Sequence, residues 1–246
     1  EITTRLVGSE MCIRDRSEIL ETLMAEMPWE TTGMVVLQAE SETAAINMVY
    51  GGAACGKRVM TSSSSPGISL MCEGLSYLAG AELPCLLVNV SRGGPGLGTI
   101  QPSQADYFQA TKALGHGDMH FIVLAPASVQ EIATLTGEAF DLADIYRMPV
   151  MILADGALGQ MMEPVDFEEK KHREIPEKTW ACTGTKGGRP HNIVNSLIIE
   201  PNELESVLEE RYKRYAEIEE KEVMYEEFMT DDAEIIVTAF GITARI

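Results

Sequence analysis

The stretch LQAESETAAINMVYGGAA, residues 37–54, is the part of the sequence that decides the fold. It begins at the end of an apolar strand, residues 34–37, and continues into a helix made mostly of Ala, Ile, Met and Val. A helix that is apolar on most of its sides is buried. A short apolar strand followed by such a helix is typical of a parallel sheet that is covered by helices.

Two acidic residues, Glu40 and Glu42, lie at this junction between strand and helix. One interpretation is that they cap the helix and complement its dipole, as acids in first turns often do. The other is that an acid backed by Ala, Ile and Met loses hydration and needs a partner, such as a basic nitrogen on a ligand. The residues alone leave both interpretations open.

The same alternation of strand and helix continues along the chain. Short apolar strands are predicted at residues 35–37, 59–61, 86–90, 121–125 and 150–154, with helical patterns between them. Ser128 and Glu131 have the spacing of a capping box, which predicts a helix from there to Tyr146. The sequence therefore predicts the α/β class with a doubly wound parallel sheet.

Polar residues follow two more of the predicted strands. Residues 59–61 run into a serine tract, Ser62 to Ser65, and residues 86–90 run into Ser91, Arg92 and a glycine-rich loop. In open α/β sheets, ligands bind beyond the carboxyl ends of the strands. The serine tract either caps the next helix or lines such a site, and Arg92 either forms an ordinary salt bridge or binds an anionic ligand.

Four segments together carry a resemblance to a known family: QAESE at 38–42, TSSSSPG at 61–67, SRGGPG at 91–96 and QPSQAD at 101–106. They resemble the alpha subunit of 2-oxoacid:ferredoxin oxidoreductases, especially the branched-chain (2-oxoisovalerate) and 2-oxoglutarate types. The resemblance implies oxidative decarboxylation of a 2-oxoacid to an acyl-coenzyme A, with electrons passed to ferredoxin. It also implies that the sheet is the pyrimidine-binding domain for thiamine diphosphate.

By this resemblance, Glu42 is the acid that hydrogen-bonds the aminopyrimidine ring of the cofactor. A proton donated to the ring nitrogen favours the imino tautomer, whose exocyclic nitrogen can then act as a base. Arg92 is the residue that binds the substrate carboxylate, for which the guanidinium fork is suited. Both are expected to be catalytic.

The resemblance also places three serines, Ser63, Ser64 and Ser65, in the loop that approaches the cofactor, with Ser64 next to the substrate as well. Gln104 is expected to contact the substrate, and Asp106 to help build the same pocket wall. His116 is expected to be a structural turn residue, because no other histidine has the helical pairing with it that zinc enzymes use.

The resemblance implies several partners for the chain. A separate beta subunit is expected to share thiamine diphosphate and to hold its diphosphate and Mg²⁺, and gamma and ferredoxin-like delta subunits are further candidates. The five cysteines are scattered without a Cys-x-x-Cys pair, so no iron–sulfur cluster is expected in this chain. The clusters that pass electrons to ferredoxin would then lie in partner subunits.

The composition of the chain limits the kinds of partner that it can bind. The 38 acidic and 19 basic residues give a formal net charge of −19, and nucleic-acid phosphates would be repelled by such a surface. No apolar run has the length of a membrane span, and no signal peptide is evident in the sequence. We therefore expect no nucleic-acid or membrane partner, and a cytoplasmic protein.

Four regions are expected along the chain. Residues 1–16 show no clear strand or helix pattern and are interpreted as a non-native leader, so the sheet is expected to lack its first strand. Residues 17–165 form the pyrimidine-binding domain, and residues 166–230 form a linker and a charged helix. Residues 231–246 are expected to begin a truncated second α/β domain with a strand. On these grounds the chain alone is expected to be inactive and marginally stable.

Two other functions compete with this interpretation. A stand-alone thiamine-diphosphate decarboxylase or transketolase-like enzyme would need a Gly-Asp-Gly segment with a downstream Asn to hold Mg²⁺, and the sequence has no such segment. A non-catalytic assembly subunit would keep the fold and dock a partner through its acidic surface. Replacing Glu42 by Gln distinguishes this role from a cofactor-binding one.

Overall fold

The computed structural model describes residues 4–9, 17–112, 114–167 and 173–246, with the side chains of 4–9, 17 and 18 outside the description. The chain divides into two units. The first comprises Glu1–Asn195 together with Phe240–Ile246, and the second is Ser196–Ala239. Each unit is described by itself below.

A six-stranded parallel sheet forms the centre of the first unit, in the order β2-β1-β3-β4-β6-β5. β4 and β6 are buried along almost their whole length, as expected for central strands covered on both faces. The predicted doubly wound parallel sheet is confirmed. The strands are β1 (Thr4–Ser9), β2 (Val35–Ala39), β3 (Arg58–Ser63), β4 (Cys85–Ser91), β5 (Ile122–Leu124) and β6 (Pro149–Asp155).

Helices connect these strands and cover the sheet. In the first unit they are α1 (Ser17–Glu26), α2 (Pro28–Thr31), α3 (Glu42–Ala54), α4 (Ser65–Gly80), α5 (Tyr107–Lys112), α6 (Val129–Tyr146) and α7 (Gly156–Gly159), and a short 3-10 helix spans Gly241–Arg245. The second unit contains α8 (Pro201–Lys221), a charged helix with the exposed ion pairs Lys213–Glu210 and Lys221–Glu217. No helix in the described part of the chain is long and apolar enough to cross a membrane.

Helices α3 and α4 approach each other closely at one glycine. A Cβ atom added to Gly74 would lie 2.8 Å from Cγ1 of Ile46, which is itself 1% exposed. Met71, Leu75 and Leu78 of α4 are fully buried in the same core. This close packing holds the amino ends of α3 and α4 side by side at the carboxyl edge of the sheet.

The capping box predicted for α6 is confirmed. Ser128 accepts a hydrogen bond from the Glu131 amide at 3.1 Å, and the Glu131 carboxylate accepts one from the Ala127 amide at 2.8 Å. The helix ends at Tyr146, and Arg147 follows it in the left-handed conformation with φ of 51°. β6 then begins at Pro149.

The expectation that the sheet lacks its first strand is wrong. Thr4–Ser9 forms β1 between β2 and β3, and Leu6 is in register with both Val36 and Met60. Without this strand, facing backbone groups of β2 and β3 would lie apart without partners, which parallel sheets avoid. Leu6 and Val7 are too short an apolar pattern to predict a strand from the sequence.

The strand predicted at the start of residues 231–246 is also wrong. Residues 231–239 show no strand pairing in the structure, and Ile235 and Val237 are 83% and 85% exposed. A strand needs a neighbour for its backbone hydrogen bonds, so an apolar pattern alone does not form one. The next residues form the 3-10 helix instead.

The linker predicted for residues 166–230 is divided between the two units. Residues 173–195 pack on the α/β core, with the Cys182 amide donating to the Ala54 carbonyl at 2.8 Å.

A cluster of charged residues lies at the amino edge of the sheet. We call Arg58, Asp141, Asp144 and Lys178 the Arg58 cluster. Arg58 binds both aspartates at 2.6 and 2.8 Å, and Lys178 binds Asp144 at 2.5 Å. The cluster fastens residues 173–181 to the amino edge of the sheet.

Candidate active site

Buried polar residues concentrate at the carboxyl edge of the sheet, where β2, β3 and β4 end. The sheet order places β1 with β2 on one side and β3 on the other, so the connections diverge there. Such a switch point is where open α/β sheets bind ligands. The buried polar residues at this edge are Glu42, Ser62, Ser63, Ser64, Ser65, Asn89, Ser91, Arg92, Asp106 and Asp155.

The two acids at the start of α3 have different environments. Ser41 is the N-cap of the helix, because its hydroxyl accepts a hydrogen bond from the Ala44 amide at 3.2 Å. Glu40 is exposed, whereas Glu42 is 1% exposed at the first position of the helix. Helix capping is therefore performed by a neighbour of both acids, and only Glu42 is enclosed by protein.

Gly67 in the first turn of α4 packs directly on Glu42. A Cβ atom at this position would lie 2.8 Å from Oε1 of Glu42 and would collide with the hydroxyl of Ser63. The absent side chain thus allows Glu42 and Ser63 to converge at one point. Sequence reasoning missed Gly67, although its place after Ser65 and Pro66 at a helix start was a usable signal.

Ser65 lies at the centre of a hydrogen-bond network that reaches Arg92. Its hydroxyl lies 2.6 Å from Oδ2 of Asp106, and it accepts a hydrogen bond from the Arg92 amide at 3.0 Å. Asn89 donates to the same carboxylate oxygen at 3.0 Å, and Gln109 donates to the Ser65 carbonyl at 3.1 Å. Sequence reasoning missed Asn89, which is fully buried in β4.

Arg92 is 5% exposed, which is rare for an arginine. Its Nε has no hydrogen-bond partner within the described residues, and no ion pair joins it to them. The same lack of a partner holds for three other buried atoms at this edge: Oγ1 of Thr61, Oδ1 of Asn89 and Oγ of Ser91. Because an unsatisfied buried polar group costs about 1–3 kcal/mol, a cluster of them indicates a site that binds a polar ligand.

Ser64 and Gln104 were both expected to contact the substrate, and their surroundings in the structure differ. Ser64 is buried at the N-cap of α4, and its hydroxyl makes no capping hydrogen bond. Both ends of the Gln104 amide are engaged by the last residues of the chain, with Nε2 donating to the Phe240 carbonyl at 2.8 Å and Oε1 accepting from Thr243 at 2.7 Å. Ser91, Gln104 and Phe240 line one small cavity. Contact of Gln104 with substrate stays a prediction.

His116 and the described cysteines form no metal centre with other described residues. His116 lies in a turn, where its amide donates to the Ser76 hydroxyl at 2.9 Å and its ring contacts the edge of Tyr77. Within the described ranges, no three His, Cys, Asp or Glu side chains are grouped closely enough to hold a metal ion. Cys85 is buried at the start of β4, and this burial raises the pKa of its thiol to about 12.

The fold and this edge together define an α/β ligand-binding domain with a buried acid at the switch point of its sheet. The chain belongs to the family described as pyruvate flavodoxin/ferredoxin oxidoreductase, thiamine diphosphate-binding, whose match covers residues 13–227. The predicted family resemblance is thereby confirmed.

Several relatives have named functions. The chain is 52% identical over 234 residues to the ketoisovalerate oxidoreductase subunit VorB of Methanothermobacter marburgensis, covering 95% of this chain and 66% of that protein. It is 42% identical over 159 residues to the 2-oxoglutarate synthase subunit KorA of Methanothermobacter thermautotrophicus, covering 64% of this chain and 42% of that one. The chain thus spans just under two thirds of the length of the VorB protein.

A solved structure is also similar. It is a 2-oxoglutarate:ferredoxin oxidoreductase from Magnetococcus marinus with 2-oxoglutarate, coenzyme A and succinyl-CoA bound. The TM-score is 0.75 at 28% identity, and the alignment covers 92% of this chain and 43% of that chain. The α/β architecture of the two chains is therefore the same over most of the present one.

Proposed function

We propose that the chain is the alpha subunit of a 2-oxoacid:ferredoxin oxidoreductase and that its carboxyl edge binds the pyrimidine half of thiamine diphosphate. The observation that carries the proposal is Glu42, a carboxyl group enclosed at the switch point of the sheet. A protonated carboxyl group in such a position can donate a hydrogen bond to a basic ring nitrogen of a ligand. Membership of a thiamine diphosphate-binding family supports that cofactor as the ligand.

The residues present fit this cofactor. Gly67 lets Glu42 and Ser63 converge beside the first turn of α4, and the unsatisfied hydroxyl of Thr61 and amide oxygen of Asn89 add polar atoms to the same edge. When bound, thiamine diphosphate supplies the carbanion centre that attacks the oxoacid carbonyl and accepts the electrons of decarboxylation. Glu42 hydrogen-bonds the ring nitrogen in surroundings that exclude water.

Arg92 binds the carboxylate of the oxoacid in this proposal. Its guanidinium presents parallel N–H groups that match the two oxygens of a carboxylate. Because the side chain is already buried, it is held in place before the substrate arrives, which reduces the entropy lost on binding. Ser63 and Ser64 are buried at the same edge and complete the cofactor site in this proposal.

The partners follow from the same proposal. A beta subunit holds the diphosphate and Mg²⁺, partner subunits carry the iron–sulfur clusters, coenzyme A accepts the acyl group, and ferredoxin accepts the electrons. Branched-chain 2-oxoisovalerate is the preferred substrate, because identity is higher and extends further for the ketoisovalerate relatives than for the 2-oxoglutarate ones. The complex works in the cytoplasm.

The test is co-expression of the chain with its beta subunit, followed by coenzyme A-dependent reduction of a viologen dye with 2-oxoisovalerate or 2-oxoglutarate. Glu42→Gln should lower turnover by about 100-fold or more, as loss of a general acid does. Glu40→Gln is the matched control, because it changes an exposed acid two residues away, and its turnover should stay within about twofold.

Two results would contradict the proposal. Unchanged turnover in Glu42→Gln would favour a non-catalytic assembly subunit. Absence of dye reduction by a folded complex loaded with thiamine diphosphate, with either oxoacid, would exclude the proposed reaction.

A further inference from the structure

We propose that Ser65 and Asp106 are positioning residues that hold Arg92 in place for the oxoacid carboxylate, and that Ser65 does not bind the cofactor. The inference rests on the proposed function and deepens it. Its basis is the hydrogen-bond network in which the hydroxyl of Ser65 joins Asp106 to the backbone of Arg92.

The direction of the Ser65 hydroxyl follows from the distances. A serine hydroxyl has one hydrogen to donate. The Asp106 oxygen at 2.6 Å is the better acceptor than the Arg92 carbonyl at 3.3 Å, because it is closer and carries charge. With the hydrogen directed at Asp106, a lone pair of the hydroxyl faces the Arg92 amide, which donates to it at 3.0 Å. Asp106 thereby sets the orientation that Arg92 needs.

Asp106 is itself fixed by the strand that leads to Arg92. Asn89 of β4 donates to the carboxylate oxygen of Asp106 at 3.0 Å. Asn89, Ser65 and Asp106 are 0%, 8% and 8% exposed, respectively. In such a protected setting each hydrogen bond is stronger than it would be in water. The network therefore connects the end of β4, the start of α4 and the loop before α5.

The loop that follows Arg92 is closed on the same residues. Arg92 pairs with Pro102 in an isolated antiparallel bridge, and the Gly93 amide donates to the Gln101 carbonyl at 3.1 Å. This closure returns the chain to the end of β4, where Asp106 lies beside Ser65. The hydroxyl of Ser65 is consequently occupied on both sides by protein groups, whereas Nε of Arg92 has no partner within the described residues.

The experiment compares variants of the chain assembled with its beta subunit. Asp106→Asn removes the charge and leaves only a neutral amide oxygen to accept from both Ser65 and Asn89, so the orientation of the Ser65 hydroxyl is held less firmly. We expect the KM for 2-oxoisovalerate to rise about 10- to 50-fold with kcat within about threefold, because a small displacement of a positioning group weakens substrate binding. Ser65→Ala should give the same separation of KM from kcat.

Two further measurements separate positioning from general damage. Calorimetric affinity for thiamine diphosphate should stay within about threefold in both variants. In an Arg92→Lys background, which lacks the guanidinium fork, Asp106→Asn should raise KM less than about threefold, since coupled residues are not additive. Asp144→Asn is the matched control, a buried acid at the opposite edge, and should leave KM unchanged.

The outcomes distinguish the inference from the function on which it rests. A wild-type complex that is folded and loaded but reduces no dye contradicts the proposed function. An active wild type in which Ser65→Ala loses thiamine diphosphate affinity and keeps its KM makes Ser65 a cofactor ligand and overturns the inference. If Asp106→Asn does not fold, Ser65→Ala alone decides, and an unchanged KM in it also overturns the inference.

Discussion

The two edges of the sheet both contain buried polar side chains, but they differ in how these are satisfied. At the amino edge, Arg58 is bound by Asp141 and Asp144, and Lys178 binds Asp144. At the carboxyl edge, Thr61, Asn89 and Arg92 each retain a buried atom with no hydrogen-bond partner in the described residues. Charge and burial are therefore similar in the Arg58 cluster and at the carboxyl edge, but the charged groups of the Arg58 cluster pair with one another.

This difference indicates which edge is structural and which is functional. A buried network whose members are all paired stabilises one conformation. Native proteins leave few buried polar groups unsatisfied, and those that remain have a specific reason. The Arg58 cluster fastens a segment of chain, whereas the carboxyl edge is where we propose that a ligand supplies the missing partners.

The largest effect is expected from breaking the amino edge. Arg58→Ala leaves Asp141, whose side chain is 3% exposed, without this counter-charge and leaves Asp144 with Lys178 alone, which should cost about 3–5 kcal/mol of unfolding free energy. Urea unfolding of the chain measures this. Where the complex containing Arg58→Ala still folds, its turnover should be unchanged. A loss below about 1 kcal/mol would show that the cluster does not stabilise this edge.

A pair of glycines sharpens the comparison within one helix. Gly67→Ala and Gly74→Ala both introduce a Cβ atom into a space with no room for it, and each should cost about 1–3 kcal/mol. Only Gly67→Ala displaces Glu42 and Ser63, so only it should weaken thiamine diphosphate binding, measured by calorimetry. Equal binding losses in both variants would mean that the site is damaged through α4 as a whole.

Cys85 tests whether the amino edge excludes water. Its pKa is raised from 9.0 to about 12 by burial, so the unfolded chain releases this proton first. The stability that the buried thiol contributes is fully present below pH 9 and is lost as pH rises toward 12. We expect a loss of about 1.4 kcal/mol between pH 8 and pH 10 from this group. Urea unfolding at both pH values, compared with Cys85→Ala, isolates it, and equal losses in the two proteins would contradict the prediction.

The smallest effect is expected at the carboxyl edge. Thr61 is fully buried and its hydroxyl has no partner in the described residues. Thr61→Val keeps the shape and removes the unsatisfied group, so stability of the isolated chain should be unchanged or rise by up to about 1 kcal/mol. Thermal unfolding measures this, and a loss above about 1.5 kcal/mol would show that the hydroxyl is satisfied.

The sheet could be predicted from the sequence because its strands and helices have distinct periods. β3, β4 and β6 are apolar runs bounded by clear turn or helix signals, and Ser128 with Glu131 marks the start of α6. β1 was missed because six residues without a strong signal become a strand only through their two neighbours. The same reason explains the strand wrongly predicted near Ile235, where no neighbour is paired.

The site could be predicted only in part. Motif resemblance led to Glu42 and Arg92, and burial then separated Glu42 from Glu40, which sequence spacing could not do. The network from Ser65 to Asp106 joins residues about 40 positions apart, and no local pattern encodes such a contact. The amide of Gln104 is likewise engaged by Thr243 at the far end of the sequence.

The Arg58 cluster also affects the rate at which the protein unfolds. Its members come from β3, from α6 and from the segment after β6, so large loops must close before the charges can meet. Contacts of this kind form late in folding and are broken early in unfolding. Interactions absent from the transition state mainly slow the unfolding rate, and the cluster therefore prolongs the lifetime of the folded chain without hastening its formation.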